Sequence, residues 1–186
     1  MASSPPPRRA SAAAGVSRAP AARPAAASRP NDVSTDTPAY VAIGANLGDA
    51  QATVRRAMDD LAALPLTRLT ARSSLYRSAP FEAQGPDFIN AVVELRTSLD
   101  PLALLAELQR LEAEAGRERP YRNAPRTLDL DLLRHGDATM QSAVLTLPHP
   151  RIGERAFVLL PLAEIAPTLV TAAQLERVAG QRIERL

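Results

Sequence analysis

From Ala39 to Leu133 the apolar residues switch between the two-residue period of a strand and the 3.6-residue period of a helix. The order of those switches constrains the fold more than any other feature. Ala39-Tyr-Val-Ala-Ile43 reads as a short buried strand entering the turn Gly44-Ala-Asn-Leu-Gly-Asp49. Asp49 has the character of a helix N-cap, and Val54, Ala57, Met58, Leu61 and Leu64 recur at helical spacing, predicting a first helix over about Ala50 to Leu64. The β-branched and polar stretch Thr67 to Tyr76 predicts a second strand and Phe88 to Leu95 a third. Between them Ala79 to Asp87, with Pro80, Gly85 and Pro86, is a loop longer than a tight hairpin needs. Asp100-Pro101 sets an N-cap ahead of a proline at the first helical position. Leu104, Leu105, Leu108 and Leu111 then form the stripe of a second helix ending near Gly116. Residues 117–127 are polar and Arg-rich and hold Pro120 and Pro125, a second long loop. Leu128 to Leu133 alternates apolar and acidic residues, the pattern of a half-buried strand.

The order β-α-β-β-α-β predicts an α+β, ferredoxin-like sandwich, with two helices packed on one face of an antiparallel sheet. A strand-like Val144 to Leu147, a turn at Pro148-His149-Pro150 and a helical Ala156 to Ile165 add a C-terminal strand and helices. With 186 residues, 46% of them apolar, the chain has material for one core of ordinary size. Residues 1–37 read as a disordered Ala/Pro/Arg/Ser-rich extension and residues 38–186 as the single domain. Five Arg against Asp32 and Asp36 give residues 1–37 a charge of +3, so the remainder carries −1 and the basic pI belongs largely to the tail. Acid-poor tails of this kind occur in organellar transit peptides, but the prolines here preclude a long amphipathic helix. Absence of Cys excludes a disulfide framework, a thiolate zinc site and a cysteine nucleophile. No apolar run reaches the ~20 residues of a membrane helix. The expectation is a cytoplasmic monomer with no membrane contact.

Asp129 and Asp131 lie two positions apart on a predicted strand, so both carboxylates leave one face while Leu128, Leu130 and Leu132 point to the other. Two carboxylates so close repel unless a cation lies between them, and Mg²⁺ prefers hard oxygen ligands while keeping positions for phosphates. Taken alone, the pair describes a solvated strand face better than a metal site, and it is the context that changes this. Arg117, Arg119, Arg122 and Arg126 lead into it, and Arg151 and Arg155 follow in the later turn, with donor forks suited to phosphate oxygens. The same arginines could instead form surface ion pairs with Glu112, Glu114 and Glu118. All 22 basic residues are Arg, which excludes a Walker-A loop and a protein-kinase site, both of which need a Lys on the phosphates. Phe88 and Phe157 are two of only 3 Phe, and Asn90 shares the strand face of Phe88. Two rings and an amide would hold a flat heterocycle and read its edge, although each Phe singly also fits a core. His149 suits donation to phosphate or proton transfer, or is simply a turn histidine.

Several runs together resemble the 6-hydroxymethyl-7,8-dihydropterin pyrophosphokinase family. They are Arg-Thr-Leu-Asp-Leu-Asp from Arg126, the segment from Gln109 to Arg119, and Leu147-Pro-His-Pro-Arg-Ile-Gly-Glu-Arg-Ala-Phe157 with its continuation. Ala39-Tyr-Val-Ala-Ile-Gly-Ala-Asn-Leu-Gly-Asp49, the sequence around Pro80, and Pro86-Asp-Phe-Ile-Asn90 complete the resemblance, which spans residues 38 to about 168. It implies transfer of pyrophosphate from ATP to 6-hydroxymethyl-7,8-dihydropterin in folate biosynthesis, with release of AMP. It further implies that Asp129 and Asp131 bind two Mg²⁺ ions and that Arg119 and Arg126 serve catalysis and loop closure. Gln109, Glu112, Arg117, Arg126, His149 and Arg155 fall on ATP-site positions, and Gly44, Ser78, Pro80, Phe81, Phe88, Asn90 and Phe157 on the pterin site. Ala45, Ala79 and Asn123-Ala124 depart from the family pattern, where Ser, proline and Trp-Gly are usual, and bear on loop closure rather than on the reaction.

On that reading the metal ions and arginines offset the charge of ATP and align its β-phosphorus with the pterin oxygen, and the two long loops exclude water. An RNA-binding module shares the element order, but its sheet needs stacking aromatics on central strands, and Phe88 to Leu95 has one, at its start, so no nucleic-acid partner is expected. A regulatory ligand-binding domain of the same fold would not need Asp129 or Asp131.

Overall fold

A computed structural model describes Met1 and residues 36–80, 85–116 and 127–186, and the last three segments fall in one compact unit. The expected extension over residues 1–37 lies, apart from Met1, Asp36 and Thr37, outside the described residues. The elements follow as β1 (Thr37–Ala45), α1 (Ala50–Ala62), β2 (Thr67–Arg72), β3 (Tyr76–Ser78), β4 (Phe88–Thr97), α2 (Pro101–Glu114) and β5 (Asp129–His135). After them come the hairpin strands β6 (Met140–Gln141) and β7 (Thr146–Leu147), then α3 (Ala156–Ile165), α4 (Ala172–Val178) and β8 (Ile183–Arg185). The βαββαβ order read from periodicity is present. Both expected caps form: Asp49 accepts from the Ala52 N–H at 3.0 Å, and Asp100 from Leu102 and Ala103 at 2.9 Å each, contributions of about 1 kcal/mol apiece.

The main sheet runs β5-β1-β4-β3-β8, with β2 also on β4, and every pairing is antiparallel. The expected single strand Thr67 to Tyr76 is broken. Ser73 uses its hydroxyl, in place of a backbone carbonyl, to accept the Val92 N–H at 2.9 Å, and this offsets the chain so that β2 and β3 pair separately with the two halves of β4. Alternate residues of β1, β4 and β5 (Val41, Ile43, Ala91, Val93, Leu130 and Leu132) face α1 and α2 in the larger core. Leu133 faces the other way. Alternation turns Leu133 to the face opposite Leu132, where it joins Val92, Val158 and Leu162 in a second cluster under α3, and a bulge there, opposite Tyr40 and Val41, shifts the register of Arg134 and His135. The sandwich of two helices on one face therefore gains a third helix on part of the other. Among the described residues no helix is long and apolar enough to cross a membrane.

At the C-terminus β8 adds to β3, and a polar knot ties it to α3. Glu164 accepts from the Ser74 N–H (3.1 Å), the Ser74 hydroxyl (2.8 Å), the Tyr76 hydroxyl (3.0 Å) and the Arg185 guanidinium (2.9 Å). Burial alone would raise the pKa of Glu164, but the hydrogen bonds from Ser74 and Tyr76 and the charge of Arg185 outweigh it and hold it below the ordinary carboxyl value. A carboxyl whose pKa is depressed by folding adds stability that is present above its unfolded pKa and is lost as pH falls through the folded value. Glu164→Gln is therefore expected to lower Tm at pH 7 by about 2–4 °C, the knot being partly solvent-screened, and by much less near pH 3. Equal losses at both pH values in thermal melts would show that the charge contributes nothing.

Candidate active site at the end of the sheet

The site is organised by the register of β1 with its two neighbours. Gly44 lies opposite Asn90 on one side and Asp129 on the other, and Ala42 lies likewise between Val92 and Asp131. Tyr76 continues the first row beyond Asn90, and Ser78 pairs with Phe88 one step further along. By strand alternation these residues share the face turned away from α1 and α2. Neighbouring strands lie about 4.8 Å apart, so Asp129 and Asn90 stand about 10 Å apart across Gly44, a residue with no side chain. The α3 cluster covers Tyr40, Ala42, Val92 and Leu133. The part of the face outside that cluster carries Gly44, Asn90, Phe88 and Asp129.

On the β4 side the amide of Asn90 has one possible orientation. Its nitrogen donates to the Ser78 hydroxyl at 2.9 Å and lies 3.5 Å from the Tyr76 and Phe88 carbonyls, which accept only. The amide oxygen is thereby turned toward Gly44, where an added Cβ would sit 3.5 Å from it and 4.0 Å from the Phe88 ring. Asn90 and Ser78 are buried, whereas Phe88 and Pro80 are half-buried. Phe157, in the first turn of α3, packs at the border of the second cluster, and the Arg155 guanidinium lies 5.5 Å from its ring centroid.

On the β5 side Asp129 and Asp131 are both half-buried, and the intervening Leu130 is held from behind. Its N–H, on the free edge of the sheet, donates to a carboxylate oxygen of the buried Glu112 of α2 at 2.7 Å. Gln109 sits one turn earlier on α2, exposed. His149 is drawn to the same edge by its backbone N–H, which donates to the Leu133 carbonyl at 2.9 Å, while its Nδ1 accepts the Arg151 N–H at 3.2 Å. Burial is the largest influence on the ring and lowers its pKa below 6.5; Asp131 pulls it up, Arg155 and Arg151 push it down, and Asp129 adds a further upward pull. The imidazole is neutral at neutral pH with Nδ1 accepting, which leaves Nε2–H to donate. The response of this one ring to all four charges places both carboxylates and both guanidinia in a single electrostatic neighbourhood.

The structure thus brings together Gly44, Ser78, Phe88, Asn90, Asp129, Asp131, His149, Arg155 and Phe157, with Pro80 at the end of β3 and Glu112 behind β5. Arg117, Arg119, Arg122, Arg126, the Asn123-Ala124 departure and Phe81 lie outside the described residues. Asn46 is an addition. Buried in the β1–α1 turn, it donates to the Pro86 carbonyl at 3.3 Å and so ties that turn to the approach to β4. An asparagine among small residues in a turn looks like any other turn residue, and only its burial sets it apart.

Among known proteins, the model of the 7,8-dihydro-6-hydroxymethylpterin-pyrophosphokinase family matches residues 40–167. The curated 2-amino-4-hydroxy-6-hydroxymethyldihydropteridine pyrophosphokinase of Haemophilus influenzae is 45% identical over 133 residues, 71% of this chain and 83% of its own length. Its namesake from Pseudomonas aeruginosa is 47% identical over 131 residues (70% and 81%), and that from Methylorubrum extorquens 42% over 149 residues (80% and 94%). Among solved structures, an HPPK-DHPS chain in complex with substrates superposes with a TM-score of 0.57 at 16% identity. That match covers 76% of this chain but 42% of the larger one, and at that identity it speaks to the fold alone. The matched segment opens on β1 and closes in the turn after α3, so it encloses the whole row from Asp129 to Asn90 together with His149, Arg155 and Phe157, and the chain belongs to the 7,8-dihydro-6-hydroxymethylpterin-pyrophosphokinase family.

Proposed function

We propose that the row across β5, β1 and β4 is where this pyrophosphokinase transfers pyrophosphate from ATP to 6-hydroxymethyl-7,8-dihydropterin in folate biosynthesis, the pterin lying over Gly44 and the nucleotide phosphates over Asp129 and Asp131. The observation that carries the assignment is the register that sets Gly44 between Asn90 and Asp129. It leaves a floor about 10 Å wide with an amide acceptor at one end and a carboxylate pair at the other.

Each side chain then has a task that its surroundings support. The Asn90 oxygen, held toward Gly44 by the commitment of its nitrogen to Ser78, accepts from an N–H on the ring edge of the pterin. Phe88 and Phe157 supply the apolar faces, with Gly44, Ser78, Pro80 and Phe81 completing the lining. Asp129 and Asp131 fit Mg²⁺. Among the described residues no group of three His, Cys, Asp or Glu could hold a metal by itself. A carboxylate pair of this kind suits an ion that keeps waters and completes its shell from substrate phosphates. Two Mg²⁺ held there would offset phosphate charge and polarise the bonds to the transferred group. His149, neutral with Nε2–H free to donate, adds a hydrogen bond to a phosphate oxygen without adding charge. Arg117, Arg126, Arg155, Gln109 and Glu112 complete the ATP site, and Arg119 and Arg126 stabilise charge on the reacting phosphates. The half-apolar, half-charged floor, closed over by α3 at its inner end, suits small-molecule substrates; the protein acts as a cytoplasmic monomer.

Two experiments test the assignment. AMP release from ATP, Mg²⁺ and 6-hydroxymethyl-7,8-dihydropterin is expected to fall about 100-fold or more in Asp129→Ala and in Asp131→Ala. Full turnover in both variants would refute the metal assignment. Gly44→Ala probes the other half of the site. A Cβ at this position meets only ordinary contacts at 3.5 and 4.0 Å, and alanine suits a strand interior better than glycine, so Tm is expected to hold or rise. The added methyl would stand on the floor, and the pterin KM is expected to rise at least tenfold. An unchanged pterin KM would place the pterin elsewhere.

A further inference from the structure

The last six residues lie beyond the segment that matches the family model, and their side chains and backbone bond to both α3 and β3. Gln181 brackets Arg155 from outside the helix. Its side-chain oxygen accepts the Ala156 N–H at 2.9 Å, and its side-chain nitrogen donates to the Glu154 carbonyl at 2.8 Å. One amide thus caps the first turn of α3, a helix whose own N-cap residue, Arg155, makes no side-chain capping bond. The next residue, Arg182, reaches the opposite wall. Its carbonyl accepts the Ala79 N–H at 3.4 Å, directly after β3, and its guanidinium pairs with Asp87 at 2.9 Å, directly before β4. Ala79 follows Ser78, and Asp87 precedes Phe88.

We propose that Gln181 and Arg182 form a clasp that sets the separation of the two aromatic walls of the pterin site, Gln181 holding the start of α3 before Phe157 and Arg182 holding the strand ends beside Ser78 and Phe88. Both are positioning residues, since neither touches the proposed floor. The inference rests on the pterin site proposed above. The two residues are adjacent and their chain direction is fixed by β8, which pairs Ile183 with Ser78, Glu184 with Arg77 and Arg185 with Tyr76. The Arg185–Glu164 contact pins the far end of β8 to α3. A displacement of Gln181 is therefore transmitted to Arg182, and the walls move together or not at all. Fixed walls favour a rigid planar ligand because the cost of ordering them is met on folding rather than on binding. The Arg182 arm reaches no residue of the proposed ATP site, whereas Gln181 also brackets Arg155, which belongs to that site. The signature is a selective change in pterin affinity at the Arg182 arm.

The test measures KM for pterin and for ATP, kcat and Tm in the full chain. Gln181→Ala removes both bonds to α3 and is expected to raise the pterin KM about fivefold, with a smaller rise in the ATP KM through Arg155. Gln181→Glu keeps the acceptor for the Ala156 N–H but sets a carboxylate oxygen against the Glu154 carbonyl, and is expected to fall between the two. Arg182→Asp is expected to raise the pterin KM about threefold, the pair being exposed, and the exchange Arg182→Asp with Asp87→Arg to bring it back toward wild type. Parallel rises in both KM values in Arg182→Asp, or a lowered Tm with an unchanged pterin KM, would make the segment a plain stability element and overturn the proposal, as would failure of the exchange to rescue. Asn90→Ala and Phe157→Ala run alongside separate the two levels of the argument. If they leave the pterin KM unchanged, the pterin site itself is misplaced; if they raise it while Gln181→Ala does not, only the clasp fails.

Discussion

The antiparallel pairing of β1 with β4 and β5 at once is the constraint on which the rest depends. β1 is hydrogen-bonded along both edges, and its side chains alternate between a face buried against α1 and α2 and a face partly covered by α3. A slip of one residue would turn Val41 and Ile43 out of the larger core and bring Tyr40 and Ala42 in, a loss of several kcal/mol of burial. The same register that buries the apolar residues fixes which residues meet across the other face. The positions of Asp129, Gly44 and Asn90 are thus a by-product of core packing and need no device of their own.

A second constraint decides where the site ends. Alternation on β5 turns Leu133 away from Leu132, and Leu133 packs with Val92 against α3 on the face that α1 and α2 leave bare. This covers the middle of the sheet and leaves its end outside that cluster. It also removes the flat exposed surface on which an RNA-recognition sheet of the same element order would stack bases. The arrangement of Phe157 and Arg155 follows, since both stand where α3 begins.

Elements with strong periodicity were legible from the residues: both caps, the two long helices, the strands of the βαββαβ core and α3 appear within a few residues of their expected limits. What periodicity does not carry is pairing over long separations. The break at Ser73 depends on a hydroxyl meeting Val92, which no local pattern announces, and β8 is three residues of mixed polarity that become a strand only because β3 offers a free edge. Leu133 stands by alternation on the face of Asp129 and Asp131, and only α3, further along the chain, makes that position a buried one. At the site, the carboxylate pair and its same-face geometry followed from a two-residue spacing. The supports of that geometry did not: Glu112 on the Leu130 N–H, the seating of His149 on Leu133, and the burial of Asn46 each join residues far apart in the chain.

The row at the end of the sheet also departs from local preference at each step. A glycine in a central strand costs about 0.5–1 kcal/mol against alanine, a buried asparagine must find partners for its polar atoms, and two acids on one face of one strand repel. Nothing in the core asks for any of these, because the opposite face is filled by ordinary aliphatic residues. The offsets are local as well: Ser78 engages the Asn90 nitrogen, and Glu112 closes the open edge of β5. Sequences that fold well keep their local choices consistent with the global structure, and departures concentrate where something other than stability is being selected. That these departures gather on one face at one end of the sheet, in the Asp129–Gly44–Asn90 row and at Asp131 beside it, is an argument for function independent of any resemblance.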